Sequence, residues 1–246
     1  MDRRPGSPRS SNRTAAAESR AGRSSSVSRE RARVAALLEA EEEARARGAR
    51  FVAGVDEAGR GALAGPVFAA AVILPPGAII PGLDDSKALP VEVREDLAPR
   101  VRRAAVAWGV GSATAGEIDA LGIAPATFLA MRRALDGLEA FGARPDFVLV
   151  DGFRIPSLPV PQKAVVRGDS TVACIAAASI LAKTSRDAIL RGLDAARPWY
   201  GFAAHKGYGS AAHLAALRRH GPSPDHRLSF AGVLSSGRTA STVAAA

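Results

Sequence analysis

Phe51-Val52-Ala53-Gly54-Val55-Asp56-Glu57-Ala58-Gly59-Arg60-Gly61-Ala62-Leu63-Ala64-Gly65-Pro66-Val67 passes from apolar to acidic to glycine-rich within 17 residues. Phe51–Asp56 reads as a short strand, because β-branched and apolar residues run up to a turn-forming segment. Asp56 and Glu57 stand at its end. Gly59, Gly61 and Gly65 then make a turn whose main chain is little shielded by side chains, and Val67–Leu74 is a second apolar run. A strand that delivers paired acids to the mouth of a glycine turn is a place where a site can form.

Working outward, Ala105–Ala113, Phe147–Val150 and Ala164–Val166 read as three further strands. Helical periodicity covers roughly 90–104, 115–120, 124–141, 171–195 and 210–220. Strands in succession, followed by strands alternating with helices, predict an α/β domain built on a mixed five-stranded sheet, with an additional helical part at the C-terminus. Residues 1–27 are rich in Ser, Arg, Gly and Pro and are expected to be a disordered tail, since they cannot bury enough apolar surface to offset their ordering entropy. Ser28 is placed to cap a helix that Gly48 would end, so 28–48 is read as an N-terminal helix of a catalytic domain spanning 28–234. Residues 235–246, small and polar, are expected to form a flexible tail.

The chain has 246 residues and a formal charge of +9. Nine arginines against three acids in residues 1–34 supply +6 of that charge, so the remainder is only mildly basic and total charge says little about the folded domain. A single cysteine, Cys174, excludes an internal disulfide and a cysteine-based zinc cluster. With no apolar run near the ~20 residues of a membrane span and no signal-peptide pattern, the expected location is cytoplasmic and the expected state a monomer.

Four acids carry the functional reading. Asp56 and Glu57 end the first strand, Asp151 ends the fourth, and Asp169 follows the fifth. If the first and fourth strands are neighbours, Asp56 and Asp151 lie side by side. Carboxylates gathered in one crevice repel unless a cation neutralises them. Without a cysteine set, and with four scattered histidines, a hard divalent ion with oxygen ligands, Mg²⁺ or Mn²⁺, suits them. Taken singly, Asp151 or Asp169 reads as a turn or helix cap.

The motifs taken together resemble the ribonuclease HII family. They are Val55-Asp56-Glu57-Ala58-Gly59-Arg60-Gly61, then Asp85-Ser86-Lys87, Glu117-Ile118-Asp119, Val150-Asp151-Gly152 and Gly168-Asp169. Ala176–Lys183 with Arg186-Asp187 follows, and finally His205-Lys206-Gly207-Tyr208-Gly209 and His226-Arg227-Leu228-Ser229-Phe230. The resemblance covers about residues 50–232. It implies a ribonuclease H-like fold, three antiparallel strands continued by two parallel ones. It also implies cleavage of the RNA strand of RNA–DNA hybrids, and cutting 5′ of single ribonucleotides in duplex DNA, by two-metal-ion hydrolysis.

Under that resemblance Asp56, Glu57, Asp151 and Asp169 match the metal-binding catalytic carboxylates. Gly59, Arg60 and Gly61 match the loop that senses the ribonucleotide 2′-hydroxyl, and Tyr208 the ring that packs on the following deoxyribose. Lys87, Lys183, Arg186 and Lys206 are candidate phosphate contacts. Gly122 departs from a customary asparagine. No paired aromatics follow Phe230, so a sliding-clamp peptide is not expected. The alternatives are a ribonuclease HIII-like enzyme, which typically shows Gly-Thr-Gly at the glycine loop, and a hybrid-binding protein without catalysis.

Overall fold

A computed structural model describes residues 32–83 and 89–234. The expectations for 1–27, Ser28, the Asp85-Ser86-Lys87 motif and 235–246 lie outside the described residues. Five strands, β1 (Val52–Ala58), β2 (Val67–Ile73), β3 (Ala107–Ala113), β4 (Phe147–Asp151) and β5 (Gln162–Val165), form one sheet in the order β3-β2-β1-β4-β5. β1 pairs antiparallel with β2, and β2 with β3; β1–β4 and β4–β5 are parallel. The mixed five-stranded sheet read from the sequence is the observed one.

Strand limits shift where ladder pairing overrides composition. β1 runs past Asp56 to Ala58, because Asp56 and Glu57 pair with Ala70 and Ala69 of β2. β5 begins at Gln162, which pairs with Val148 and whose side chain bonds both backbone groups of Ile155.

The helices are α1 (residues 32–46), α2 (Val91–Ala104), α3 (Ala115–Leu121), α4 (Ile123–Asp136), α5 (Gly168–Thr171), α6 (Ala173–Ala196), α7 (Phe202–His205) and α8 (Ala211–His220). α6 covers one sheet face and α4 the other, each over its own apolar cluster. Both approaches are unusually close. A methyl on Gly54 of β1 would lie 2.2 Å from the backbone carbon of Cys174 in α6. On the opposite face, methyls on Gly109 and Gly111 of β3 would lie 2.1 and 2.2 Å from the carbonyl oxygens of Ala134 and Ala130. The alanine-rich start of α6 permits this approach; larger side chains would hold helix and sheet apart.

The helix expected over 171–195 is split, because Val172 is extended (φ −133°, ψ 123°) and separates α5 from α6. The pattern over 124–141 likewise ends as a helix at Asp136 and continues as a 3₁₀ turn, Gly137–Phe141. Gly122, at φ +83°, joins α3 to α4, a backbone shape that glycine adopts without a steric penalty. The short elements Pro198–Tyr200 and α7 were not anticipated, since pieces of three and four residues carry no readable period.

Beyond α6 the chain folds over a small cluster of Tyr200, Phe202, His213 and His226. Its hydrogen bonds determine both histidine tautomers. The Ser223 amide donates to Nδ1 of His226 (2.9 Å), so the His226 Nε2–H donates to Nε2 of His213 (3.0 Å), and the His213 Nδ1–H donates to the Tyr208 carbonyl (2.9 Å). Both rings are therefore neutral. Burial, reinforced by the neighbouring His213, pulls His226 down to about 4. The unfolded chain binds a proton near pH 6.5 that the folded chain refuses until about 4, so stability falls as pH drops through this window. His226 alone is expected to cost roughly 2 kcal/mol between pH 7 and pH 5. Urea titrations at the two pH values, for the natural chain and for His226→Gln, should show a smaller loss in the variant; equal losses would refute the neutral relay.

Candidate active site

The sheet register brings the acids together. Val55 of β1 lies beside Val150 of β4 in a parallel pair, so the next residues, Asp56 and Asp151, emerge side by side at the same sheet end. Asp169 arrives from the other direction, on α5. Arg167, in the left-handed region at φ 55°, turns the chain into that helix, and the Gly168 amide donates to Oδ1 of Asp151 (2.7 Å). A methyl on Gly168 would meet the tip of the Ile175 side chain (Cδ1, 2.5 Å) and lie 3.4 Å from Oδ1 of Asp151, so a larger residue here would require Ile175 to shift. One oxygen from each of Asp56, Asp151 and Asp169 then lies within 4.8 Å of the others.

Glu57 is not a member of this trio. Its side chain turns toward Arg60 (3.7 Å) at the rim, and its Oε2 is buried with no hydrogen-bond partner.

This arrangement is electrostatically costly by itself. Burial pushes Asp56 up to about 6; a hydrogen bond with Ser179 and the nearby Lys183 ammonium oppose the shift, and Asp151 adds to it. Burial and the adjacent Asp56 push Glu57 up to about 7. The Lys183 ammonium donates to Oγ of Ser179 (2.7 Å), one helical turn earlier, which links the lysine through the serine to Asp56. Three carboxylates converging within 4.8 Å, two of them buried, with the unpaired Glu57 Oε2 on the residue next to Asp56, are what a divalent cation with oxygen ligands completes. The cluster fits such an ion.

Beside the trio lies a cleft of about 580 Å³, lined by Glu57, Gly59–Gly61, Lys183, Lys206 and Tyr208 among others. Gly59 sits at φ +90°, and a methyl there would lie 1.9 Å from Nε of Arg186. Arg60 spreads over the Phe153 ring, 4.7 Å from its centroid. Gly61 faces the Tyr208 ring, which is 46% exposed and rests on the Arg186 guanidinium.

Arg186 also lines the cleft, but it is only 2% exposed, and its guanidinium donates to the carbonyls of Pro66 and Ala64 (both 3.2 Å), which braces the glycine loop. Lys206, at φ 53°, lines the cleft while its ammonium donates to the Ala203 carbonyl (2.7 Å). Lys87 lies outside the described residues.

Three residues were not singled out from the sequence. Ser179 had a signal in its spacing, four residues before Lys183 on one helix face. Phe153 had none, and Arg227, although it stands in the His226–Phe230 motif, gave no sign of its link to the glycine loop, because these contacts cross about ninety and 170 positions of chain respectively.

A profile of the ribonuclease HII family matches residues 53–233. The chain belongs to the ribonuclease HII family. A ribonuclease HII from Syntrophotalea carbinolica is 56% identical over 187 residues, covering 76% of this chain and 88% of the relative. The ribonuclease H2 of Pyrococcus horikoshii superposes with a TM-score of 0.65 at 23% identity, over 76% of this chain and 97% of that one. A ribonuclease HIII in complex with Mn²⁺ gives 0.62 at 19%, over 76% and 68%. At such identities the structures establish the ribonuclease H-like fold alone. Membership of the ribonuclease HII family, which rests on sequence, makes the chain a ribonuclease H endonuclease. It sets aside both the ribonuclease HIII reading and the non-catalytic one. No described helix of this ribonuclease HII family member is long and apolar enough to cross a membrane.

Proposed function

We propose that this chain cuts the RNA strand of RNA–DNA hybrids, and cuts 5′ of single ribonucleotides in duplex DNA, leaving 3′-hydroxyl and 5′-phosphate ends. The observation that carries the reading is the convergence of Asp56, Asp151 and Asp169 within 4.8 Å, next to a cleft that carries the glycine loop and Tyr208. Asp56, Asp151 and Asp169, with Glu57 at the rim, would hold Mg²⁺ or Mn²⁺. Bound there, such ions lower the pKa of a water and offset charge on the scissile phosphate and its leaving oxygen.

The protein's own residues do the rest. Lys183 and Ser179 orient Asp56. The Gly59–Gly61 backbone, free of side-chain bulk, meets the ribose 2′-hydroxyl, the group that separates RNA from DNA. Tyr208 offers a flat face to the next sugar. Lys183 and Lys206 add positive charge along the duplex backbone, and Lys87 belongs to the same set. Arg60, held over Phe153 and near Glu57, stands between the glycine loop and the acids. The chain acts as a cytoplasmic monomer in this reading.

The test is incubation of a duplex carrying one ribonucleotide with Mg²⁺, Mn²⁺ or EDTA. A nick on the 5′ side of the ribonucleotide, present with either ion and absent with EDTA, is the expected result. Cutting that persists in EDTA would refute the metal-dependent reading.

A further inference from the structure

The His226–Phe230 motif supplies no acid and no surface cation, yet Arg227 is fully buried. Burying a guanidinium is costly unless its donors are used, and here they converge on a single target. Nη2 donates to the Gly59 carbonyl (2.7 Å), Nη1 to the Arg60 carbonyl (2.8 Å) and Nε to the Gly65 carbonyl (3.0 Å). Its own amide donates to the Leu63 carbonyl (2.9 Å). Arg227 therefore grips the glycine loop at both ends.

Planar peptide geometry gives this grip a consequence. In a trans peptide, C=O and the following N–H point in opposite directions. With the Gly59 and Arg60 carbonyls drawn inward to Arg227, the amides of Arg60 and Gly61 face away from it. The residues that carry those amides line the cleft. A neutral apolar side chain of similar size could fill the volume but could not set the rotation of these two peptide planes.

Arg227 is itself seated from a distance. Asp119, on α3, accepts from the amides of Leu228 and Ser229 (2.9 Å each) and from the Ser229 hydroxyl (2.6 Å). α3 is in turn secured by the Thr114–Glu117 capping box, with Glu117 paired to Arg133 at 2.7 Å. Asp119 thus fixes the backbone immediately after Arg227, and two motifs with no part in metal binding form one bracket.

We infer that Arg227, seated by Asp119, is a positioning residue that orients the Gly59–Gly61 peptide planes and so sets the preference of the cleft for a 2′-hydroxyl. The inference rests on the reading that this loop senses the ribonucleotide.

The test compares binding, in EDTA so that neither substrate is cut, of a duplex with one ribonucleotide and the same duplex with deoxyribose throughout. The ratio of the two dissociation constants is read for the natural chain, Arg227→Met, Arg227→Lys and Asp119→Ala, with thermal unfolding alongside. Arg227→Met is expected to shrink the ratio roughly tenfold, the loss associated with hydrogen bonds to a charged donor, while affinity for the all-deoxy duplex stays within about twofold. Arg227→Lys, which keeps the charge and part of the donation, should recover some of the ratio. Asp119→Ala, which leaves the guanidinium in place but frees its backbone, should lower the ratio in the same direction, and it serves as the reading if Arg227→Met fails to fold. A purely structural role for Arg227 predicts a lower Tm with the natural ratio in the folded protein, and that result overturns the inference. A natural chain that shows no preference between the duplexes overturns the glycine-loop reading itself, and the inference with it.

Discussion

Asp56→Asn and Asp151→Asn are each expected to lower cleavage by at least about a thousandfold, because metal-borne charge stabilisation is worth several kcal/mol in the transition state. The fold should survive. Asp56 is a folding liability without an ion: burial, with Asp151 adding, lifts it from 3.8 to about 6. Its folded value lies above its unfolded one, so at neutral pH the ionised group opposes folding, and the penalty disappears as pH falls below the unfolded value. Metal-free Asp56→Asn should therefore melt at least as high as the natural chain at pH 7, with the difference closing near pH 4. Adding Mn²⁺ should raise the Tm of the natural chain and leave that of the variant nearly unmoved, since only a protein that binds the ion gains from it. Full cleavage by either variant, or equal Mn²⁺ stabilisation of both, would remove the metal-site assignment.

Gly54→Ala should be strongly destabilising. Its added carbon would lie 2.2 to 2.5 Å from three backbone atoms of Cys174 and Ile175, and backbone cannot swing aside as a side chain can. Relief requires α6 to move away from β1. Overpacking of this kind typically costs 1–3 kcal/mol, and with rigid helix backbone as the obstacle about 3 kcal/mol or more is expected. The movement has a chemical consequence as well. Ser179 and Lys183, which orient Asp56, ride on α6, and Asp169 lies just before it. Whatever fraction folds should therefore need a higher Mn²⁺ concentration for half-maximal cleavage. Denaturant titration and a metal titration of activity check the two effects; natural stability in Gly54→Ala would show that the helix does not pack as closely as described.

The two variants probe different layers of legibility. Asp56, Asp151 and Asp169 were readable as candidates because each sits where an apolar run ends, a local signal that needs no knowledge of neighbours. Gly54 was not readable as a packing residue, since a glycine inside a strand pattern looks the same whether it faces solvent or a helix backbone. Arg186 illustrates a different limit. Its motif placed it correctly near the cleft, but a cation near a nucleic-acid groove and a cation buried under the groove's wall have the same spacing in sequence. Only the carbonyls of Ala64 and Pro66, about 120 positions away, tell them apart.

What the amino-acid order by itself determined was the inventory: which segments alternate as strands and helices, which carboxylates stand at strand ends, and where glycines permit a tight approach. These follow from short-range sterics and hydrophobic period, which act over a few residues. The tertiary structure decided which of those parts meet. Parallel pairing of β1 with β4 set Asp56 beside Asp151; the kink at Val172 and the turn at Arg167 delivered Asp169 to them; and the fold-back of the last segment put Arg227 under the glycine loop. Those meetings depend on register, helix direction and burial of distant groups against one another, and such long-range terms have no signature within any single stretch of the chain.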